Sequence, residues 1–402
     1  MNYIIINKCQ ICNSNLKNFL NLEKQPLCDD LRKKPKRSKF YKLEVKICIN
    51  CFTAFQKFNV NKKTLFPKKY HYRSANTNDV ITGMKDLVKK IKNKKKLKRK
   101  VILDIGCNDG TLLEIFKKEG AITYGIEPTN AYRDARKKGH KVFNNYFDRK
   151  LSKNLKKKLE KIDVITFTNV FAHIENFKEL IGSLKDIISK ETLLVIENHY
   201  LKEVIKKNQF DTFYHEHPRT YSLNSFFKIA ELLDMEIIDF NYVKRYNGNI
   251  RVFLKKTKKR NKNLKDELKK EKKIILKYKY MQKKIEKWKK KKKSDLLSLV
   301  KIKGPLPAKA FPGRASILMN LLKLDKKIIS NIYEKNNSLK VNHFAPGTDI
   351  KIIKEKFFLK DKKKGVIINF AWHISNEIRL YLKNKLNFNG KIIDIISKKD
   401  FR

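Results

Sequence analysis

Between Phe210 and His217 the chain reads Phe-Asp-Thr-Phe-Tyr-His-Glu-His, so Tyr214, His215, Glu216 and His217 stand in a row beside aromatic residues. A neutral imidazole can take a proton, a phenol can donate to a growing oxyanion, and a carboxylate can orient the imidazole. Together these groups suit proton abstraction from a carbon next to a carbonyl, giving an enolate. His173, in Asn169-Val170-Phe171-Ala172-His173-Ile174, is a further candidate. A lone histidine more often just closes a hydrogen-bond network, and His215, Glu216 and His217 also offer metal-ligand types. The cluster favours proton transfer over metal binding.

Two other constellations carry chemistry. Cys9-Gln10-Ile11-Cys12 and Cys48-Ile49-Asn50-Cys51 are Cys-x-x-Cys pairs with 35 residues between Cys12 and Cys48. Two such knuckles make a closed four-sulfur zinc site, which leaves no open position and is therefore structural. Cys28 and Cys107 are expected to be non-ligands. Asp104-Ile105-Gly106-Cys107-Asn108-Asp109-Gly110 follows the apolar stretch Val101–Leu103 and opens a helical pattern. In such a turn Gly106 allows close backbone approach, and the helix N-terminus offers N–H groups to a carboxylate. The next strand ends at Glu127, 23 residues after Asp104, placed for ribose hydroxyls. The Gly-x-Gly-x-x-Gly of nicotinamide sites is absent, so the cofactor read here is S-adenosylmethionine. Asp104, Gly106, Asn108, Gly110 and Glu127 are its expected contacts, with Asn145 near the adenine and Asn169 near the reacting atoms.

These residues need a sheet to hold them. Strands are expected at Val101–Ile105, Thr123–Ile126, Val164–Thr168, Leu193–Glu197 and Glu236–Phe240, with helices at Gly110–Lys118, Asn130–Lys138 and Phe177–Ser189. Such alternation implies a parallel sheet covered by helices on both faces. The fold class is α/β: a Rossmann-like class I methyltransferase domain between an N-terminal β-rich four-cysteine module and a C-terminal α/β domain. The expected divisions are 1–70, 71–255, a charged connector helix at 256–300 read as lying on the surface, and 301–402. In the last, strands are expected near Val366–Phe370 and Lys391–Ile396 and a helix at Asn376–Lys385.

The 402 residues carry 96 Lys and Arg against 40 Asp and Glu, a formal net charge of +56. Only 14 of the 96 are Arg. Dedicated nucleic-acid readers mix in Arg for bidentate contacts, so nucleic acid is not the expected partner; the charge instead steers acidic substrates such as nucleoside diphosphates. No apolar run reaches bilayer length, and the N-terminal segment is too short for a secretion signal, which points to a cytoplasmic protein. The oligomeric state is not written in these residues.

Over most of its length the sequence resembles the sugar C-methyltransferase family, which methylates C3 of dTDP-linked 4-keto-deoxysugars. The likeness is carried by the cysteine pairs, Pro26-Leu27, Tyr70-His71-Tyr72-Arg73-Ser74, Asp104–Leu113, Phe171–Ile174, Gln209–His217, Asn247–Val252, Ala345-Pro346-Gly347-Thr348 and Ala371-Trp372. The resemblance implies that His217 is the base, that Tyr214, Glu216 and His173 line its pocket, and that Tyr72 closes over it. It also places Asn249 and Arg251 at the substrate and gives nucleotide-sugar binding to the C-terminal half. The chain departs from the family at Lys309–Ala315, where Pro312 and Arg314 replace a glycine-rich turn, and at Val341–Phe344. The competing readings are a methyltransferase acting on RNA or on a sugar hydroxyl, and a non-enzymatic scaffold.

Overall fold

The computed structural model describes residues 3–35, 38–66, 73–76 and 78–401. Tyr72 lies outside the described residues. The central sheet has seven strands: β1 (Val101–Ile105), β2 (Ile122–Ile126), β3 (Lys141–Phe143), β4 (Val164–Thr168), β5 (Leu193–His199), β6 (Glu236–Val243) and β7 (Asn249–Lys255), in the order β6-β7-β5-β4-β1-β2-β3. Its central strands β1, β4 and β5 are almost wholly buried because both faces are covered. Ile102, Val164 and Val195 pack on one side with Leu87, Leu112 and Phe116. Leu103, Ile165 and Ile196 pack on the other with Phe171, Leu180 and Leu184.

The expectation of an all-parallel sheet is corrected at one edge. β7 runs antiparallel to both β5 and β6. Only five residues separate β6 from β7, enough for a hairpin and too few for a parallel crossover. The order reverses at β1, which pairs with β2 on one side and β4 on the other. A crevice therefore opens beyond the C-terminal ends of β1 and β4, where ligands of open α/β sheets bind.

The N-terminal module contributes strands Leu16–Pro26, Phe40–Cys48 and Ala54–Gln56, and the fourth strand of that sheet is Arg219–Thr220 from the central unit. The C-terminal sheet is wholly parallel, in the order Lys351–Lys354, Ile329–Glu334, Leu306–Lys309, Val366–Asn369, Lys391–Asp394. Its order also reverses, at Leu306–Lys309. The connector is two helices, Leu264–Ile275 and Met281–Lys303, joined by a 3₁₀ turn.

The connector is not a surface element. Ile275, Tyr278, Met281, Ile285 and Trp288, three or four residues apart, face one core that also takes in Leu43 and Ile47 of the module, Phe210 and Phe213, and Ile329 and Ile368 of the C-terminal sheet. Trp288 is fully buried and donates to the Ile395 carbonyl at 3.1 Å. Most of the lysines occupy the remaining faces, as an amphipathic helix requires, while Lys292 is buried and pairs with Asp400 at 2.9 Å.

Candidate active site

The turn after β1 is built for close approach. Gly106 has φ +75°, and a Cβ there would lie 2.5 Å from Val170 Cγ2 at the end of β4. Asn108 follows with φ +49° and donates its N–H to Glu127 Oε2 at 3.0 Å. Thr129 donates its N–H and Oγ to Glu127 Oε1 at 2.8 and 2.6 Å. Among the described residues Oε1 thus takes two donors and Oε2 one, so any acceptor position left over lies on Oε2 rather than on each oxygen. Burial raises its pKa. Asp104, one strand position before the turn, takes the Thr166 hydroxyl at 2.7 Å, and burial pushes it up to about 7.

Gly110 caps the helix Thr111–Lys118 at φ +75°. Residues Arg73 to Asn76 strap across this turn: Ser74 N donates to Asn108 Oδ1 (3.0 Å), Ala75 N to Asp109 Oδ2 (2.9 Å), and Arg73 pairs with Asp134 (2.6 Å). Asn145 is exposed, while its neighbour Asn144 donates to the Glu127 carbonyl at 2.8 Å.

Beyond the ends of β4 and β5 the imidazoles gather. The His217 ring lies 4.7 Å from that of His173, 5.2 Å from His199 and 4.2 Å from Tyr214. His217 Nδ1 sits 3.0 Å from the Thr212 carbonyl. A carbonyl only accepts, so Nδ1 carries the proton and Nε2 is left as the basic nitrogen. Burial, reinforced by His173 and His199, holds His217 well below the usual imidazole value, and burial takes His199 down to about 3. His173 Nδ1 is likewise held, by the Glu216 carbonyl at 2.6 Å. Thr212, not Glu216, orients the His217 ring, because the backbone from 212 to 217 folds back on itself. The Glu216 carboxyl is buried and pushed well up by desolvation and by Asp29 of the N-terminal module. His215 turns the other way, 5.7 Å from the Tyr41 ring, so the three consecutive side chains do not converge on a metal.

The zinc module grips this loop. Gln56 donates from Nε2 to the carbonyls of Tyr214 (2.5 Å) and His217 (2.8 Å), and from its backbone N–H to Pro218 (2.9 Å). Arg219 and Thr220 then pair with Phe55 and Ala54. The Cys9, Cys12, Cys48 and Cys51 sulfurs lie within 4.8 Å of one another, and three of their separations are 3.4 to 3.5 Å. A tetrahedron with Zn–S bonds of about 2.3 Å requires roughly 3.8 Å between sulfurs, so the donor set fits the ion. Among the described residues no other cysteine joins it; Cys28 accepts from Ser316 Oγ at 3.1 Å, and Cys107 packs in a small core with Leu113 and Val142.

The C-terminal domain enters from the opposite side. Arg314 donates from Nε and Nη2 to the two oxygens of buried Asp211 at 2.8 and 2.6 Å, and Trp372 Nε1 donates to the same carboxylate at 2.8 Å. By contrast, the expected substrate contact Arg251 is spent within the protein. It pairs with Glu197 (2.8 Å) and Asp86 (2.8 Å) and donates to the Gly83 carbonyl (3.2 Å), fixing the β5–β7 pair to the helix Asn78–Lys92. Asn249 is buried too, bridging Asn169 (3.0 Å), Glu197 (3.2 Å) and His199 (3.1 Å), which makes it a brace for the β4 and β5 ends.

Three family models match successive parts of the chain: a zinc-binding domain over residues 9–66, a methyltransferase domain over 76–239, and a C-methyltransferase C-terminal domain over 245–396. The three matches tile most of residues 9–396, in the order zinc-binding, methyltransferase and C-methyltransferase C-terminal domain. The C-methyltransferase NovU of Streptomyces niveus is 25% identical over 215 residues, covering 53% of this chain and 51% of that protein. The chain thus matches about half the length of this curated relative. Among solved structures, magnesium protoporphyrin IX methyltransferase of Synechocystis PCC 6803 is 14% identical over 44% of this chain and 80% of that one, with a TM-score of 0.35. A methyltransferase of Archaeoglobus fulgidus is also 14% identical, over 42% of this chain and 94% of that one, with a TM-score of 0.34.

The methyltransferase-domain match gives S-adenosylmethionine as the cofactor, and the zinc-binding-domain match with the four-sulfur cluster gives structural zinc. Several members of the site were not singled out in the sequence. His199 ends an apolar strand, and its only signal was its place at a strand's C-terminal end. Thr212 acts through a backbone carbonyl, which leaves no trace in composition. Asp211 lay inside a quoted run with no assigned role, and Arg314 stood out as a departure from the family pattern without a partner to explain it.

Proposed function

We propose that this protein transfers a methyl group to a carbon of a nucleotide-linked keto-deoxysugar. The observation that carries the proposal is the His217 imidazole, buried, kept neutral, and held by Thr212 so that Nε2 is its only basic nitrogen. Nε2 takes the proton from the carbon beside the sugar ketone, and the C–H electrons pass into the enolate. The Tyr214 hydroxyl, whose pKa burial raises well above 10, stays protonated and donates to the enolate oxygen. His173 and Asn249 fix the walls, and the closed fit of three domains keeps water from the enolate. Bound S-adenosylmethionine supplies the electrophilic methyl group that the nucleophilic carbon takes. Gly106, Asn108 and Glu127 hold that donor, and alignment of the two reactants carries much of the rate.

The test is methyl transfer from labelled S-adenosylmethionine to a panel of dTDP-, CDP- and GDP-4-keto-deoxysugars, with wild type beside His217→Asn. Label is expected on a sugar carbon and is expected to vanish in the variant. Transfer to a sugar hydroxyl or to RNA, with none to carbon, would overturn the proposal.

A further inference from the structure

The C-terminal sheet reverses its order at Leu306–Lys309, which pairs with Ile329–Glu334 on one side and Val366–Asn369 on the other. Its ligand crevice therefore lies beyond the ends of Leu306–Lys309 and Val366–Asn369. The segments leaving those two strands carry Arg314 and the pair Trp372-His373. Both segments reach Asp211, one turn before the loop that carries His217. The crevices of the two sheets thus open toward each other at this point.

Arg314 is fixed there on one edge only. Its Nε and Nη2 are taken by Asp211, and its guanidinium lies 5.4 Å from the Trp372 ring centre. The side chain is 7% exposed, and among the described residues its Nη1 has no hydrogen-bond partner. His373 Nδ1, from the adjoining segment, is buried and unpartnered in the same sense. A buried donor left unmade is costly, so Arg314 Nη1 marks a position meant for a ligand oxygen. Arg314 is close enough to His199, His217 and His373 that its charge, after burial itself, helps keep all three neutral.

The charge balance decides which oxygen. Asp211 neutralises the guanidinium, so the pair presents an oriented dipole rather than a free cation. A diphosphate is better held by unneutralised charge, whereas a carbonyl gaining charge only as its neighbouring proton leaves is best met by a donor already in place. We propose that Arg314 Nη1 donates to the keto oxygen of the sugar and stabilises the enolate formed when His217 takes the proton. Arg314 is then a catalytic residue supplied by the C-terminal domain. This rests on the enolate reading above.

The experiment compares full-length wild type, R314Q, R314K and H217N in two measurements. One is steady-state methyl transfer to a dTDP-linked 4-keto-6-deoxyhexose. The other is deuterium uptake from D₂O at the carbon beside its ketone, with S-adenosylhomocysteine in place of the donor. R314Q is expected to lower kcat and deuterium uptake together by about 100- to 1,000-fold, with KM moving less than about threefold and R314K intermediate. Should R314Q fail to fold with Asp211 unpaired, R314Q/D211N carries the same comparison, since a Gln–Asn pair replaces the ion pair without a buried charge. A folded variant with unchanged kcat and a raised KM would overturn the assignment and make Arg314 a ground-state anchor. Loss of activity in H217N with full activity in R314Q sinks only the Arg314 assignment. Full activity in H217N sinks the enolate reading, whatever Arg314 does.

Discussion

At the scale of single residues, the site is a set of neutral groups kept neutral by burial. His217 sits below the ordinary imidazole value of about 6.5 because a buried cation would have to be desolvated beside His173 and His199. A base with a lowered pKa loses activity only when pH falls through that lowered value. The acid limb of kcat/KM is therefore expected below pH 6.5, and an acid limb with its midpoint above pH 6.5 would contradict it. Asp211 holds both Arg314 and Trp372. Asp211→Ala strands a buried guanidinium and is expected to cost about 3–5 kcal/mol in a denaturant titration. At Gly106, alanine would meet Val170 and the left-handed φ together. Gly106→Ala is expected to weaken S-adenosylmethionine at least tenfold by calorimetry, with zinc content unchanged.

At the scale of elements, the zinc module is tied by strand pairing to the loop that carries His217. This loop runs directly into Arg219–Thr220, the edge strand of the module's sheet, and Gln56 ties Tyr214, His217 and Pro218 to the same sheet. The knuckle also reaches across, since the Cys51 carbonyl accepts from Ser222 and Ser225 at 3.3 Å at the start of the helix Leu223–Leu232. Stripping zinc, or Cys48→Ser, is expected to lower kcat at least tenfold while S-adenosylmethionine affinity stays within about threefold. Zinc content, calorimetry and initial rates together check this; cofactor affinity falling in step with kcat would show general unfolding instead. The connector shows how far periodicity reaches. Its apolar spacing announced a helix, but the depth of Trp288 depended on three other segments arriving to cover it.

At the scale of the whole molecule, a single core joins the module, the helix Leu201–Lys206 with the Phe210–Phe213 turn that follows it, the connector and the C-terminal sheet. Function is therefore expected to be lost together, not domain by domain, when any one part is destabilised. The net charge of +56 surrounds a site whose inner groups are neutral or paired. If the proposed substrate is right, such a surplus steers the anionic sugar nucleotide toward the crevice without binding it there. Raising ionic strength from about 0.01 to about 0.15 M shortens the screening length from about 30 to about 8 Å, so kcat/KM should fall several-fold while kcat holds. An unchanged kcat/KM would mean that the lysines do no steering.

The sequence alone determined what depends on local order. The run Val101–Ile105 into Gly106 could only be a buried strand meeting a tight turn, because its hydrophobicity and its glycine spacing are local facts. The same holds for the two cysteine knuckles and for the apolar strands that form the sheet. The tertiary structure decided everything that required two distant segments to meet. It turned Arg251 inward to Glu197 and Asp86, gave His217 a carbonyl from Thr212, and parted His215 from its neighbours. It also brought Arg314 across 103 positions of chain to Asp211. Hydrogen-bond partners and burial belong to pairs of segments, and no single stretch of sequence contains both halves of a pair.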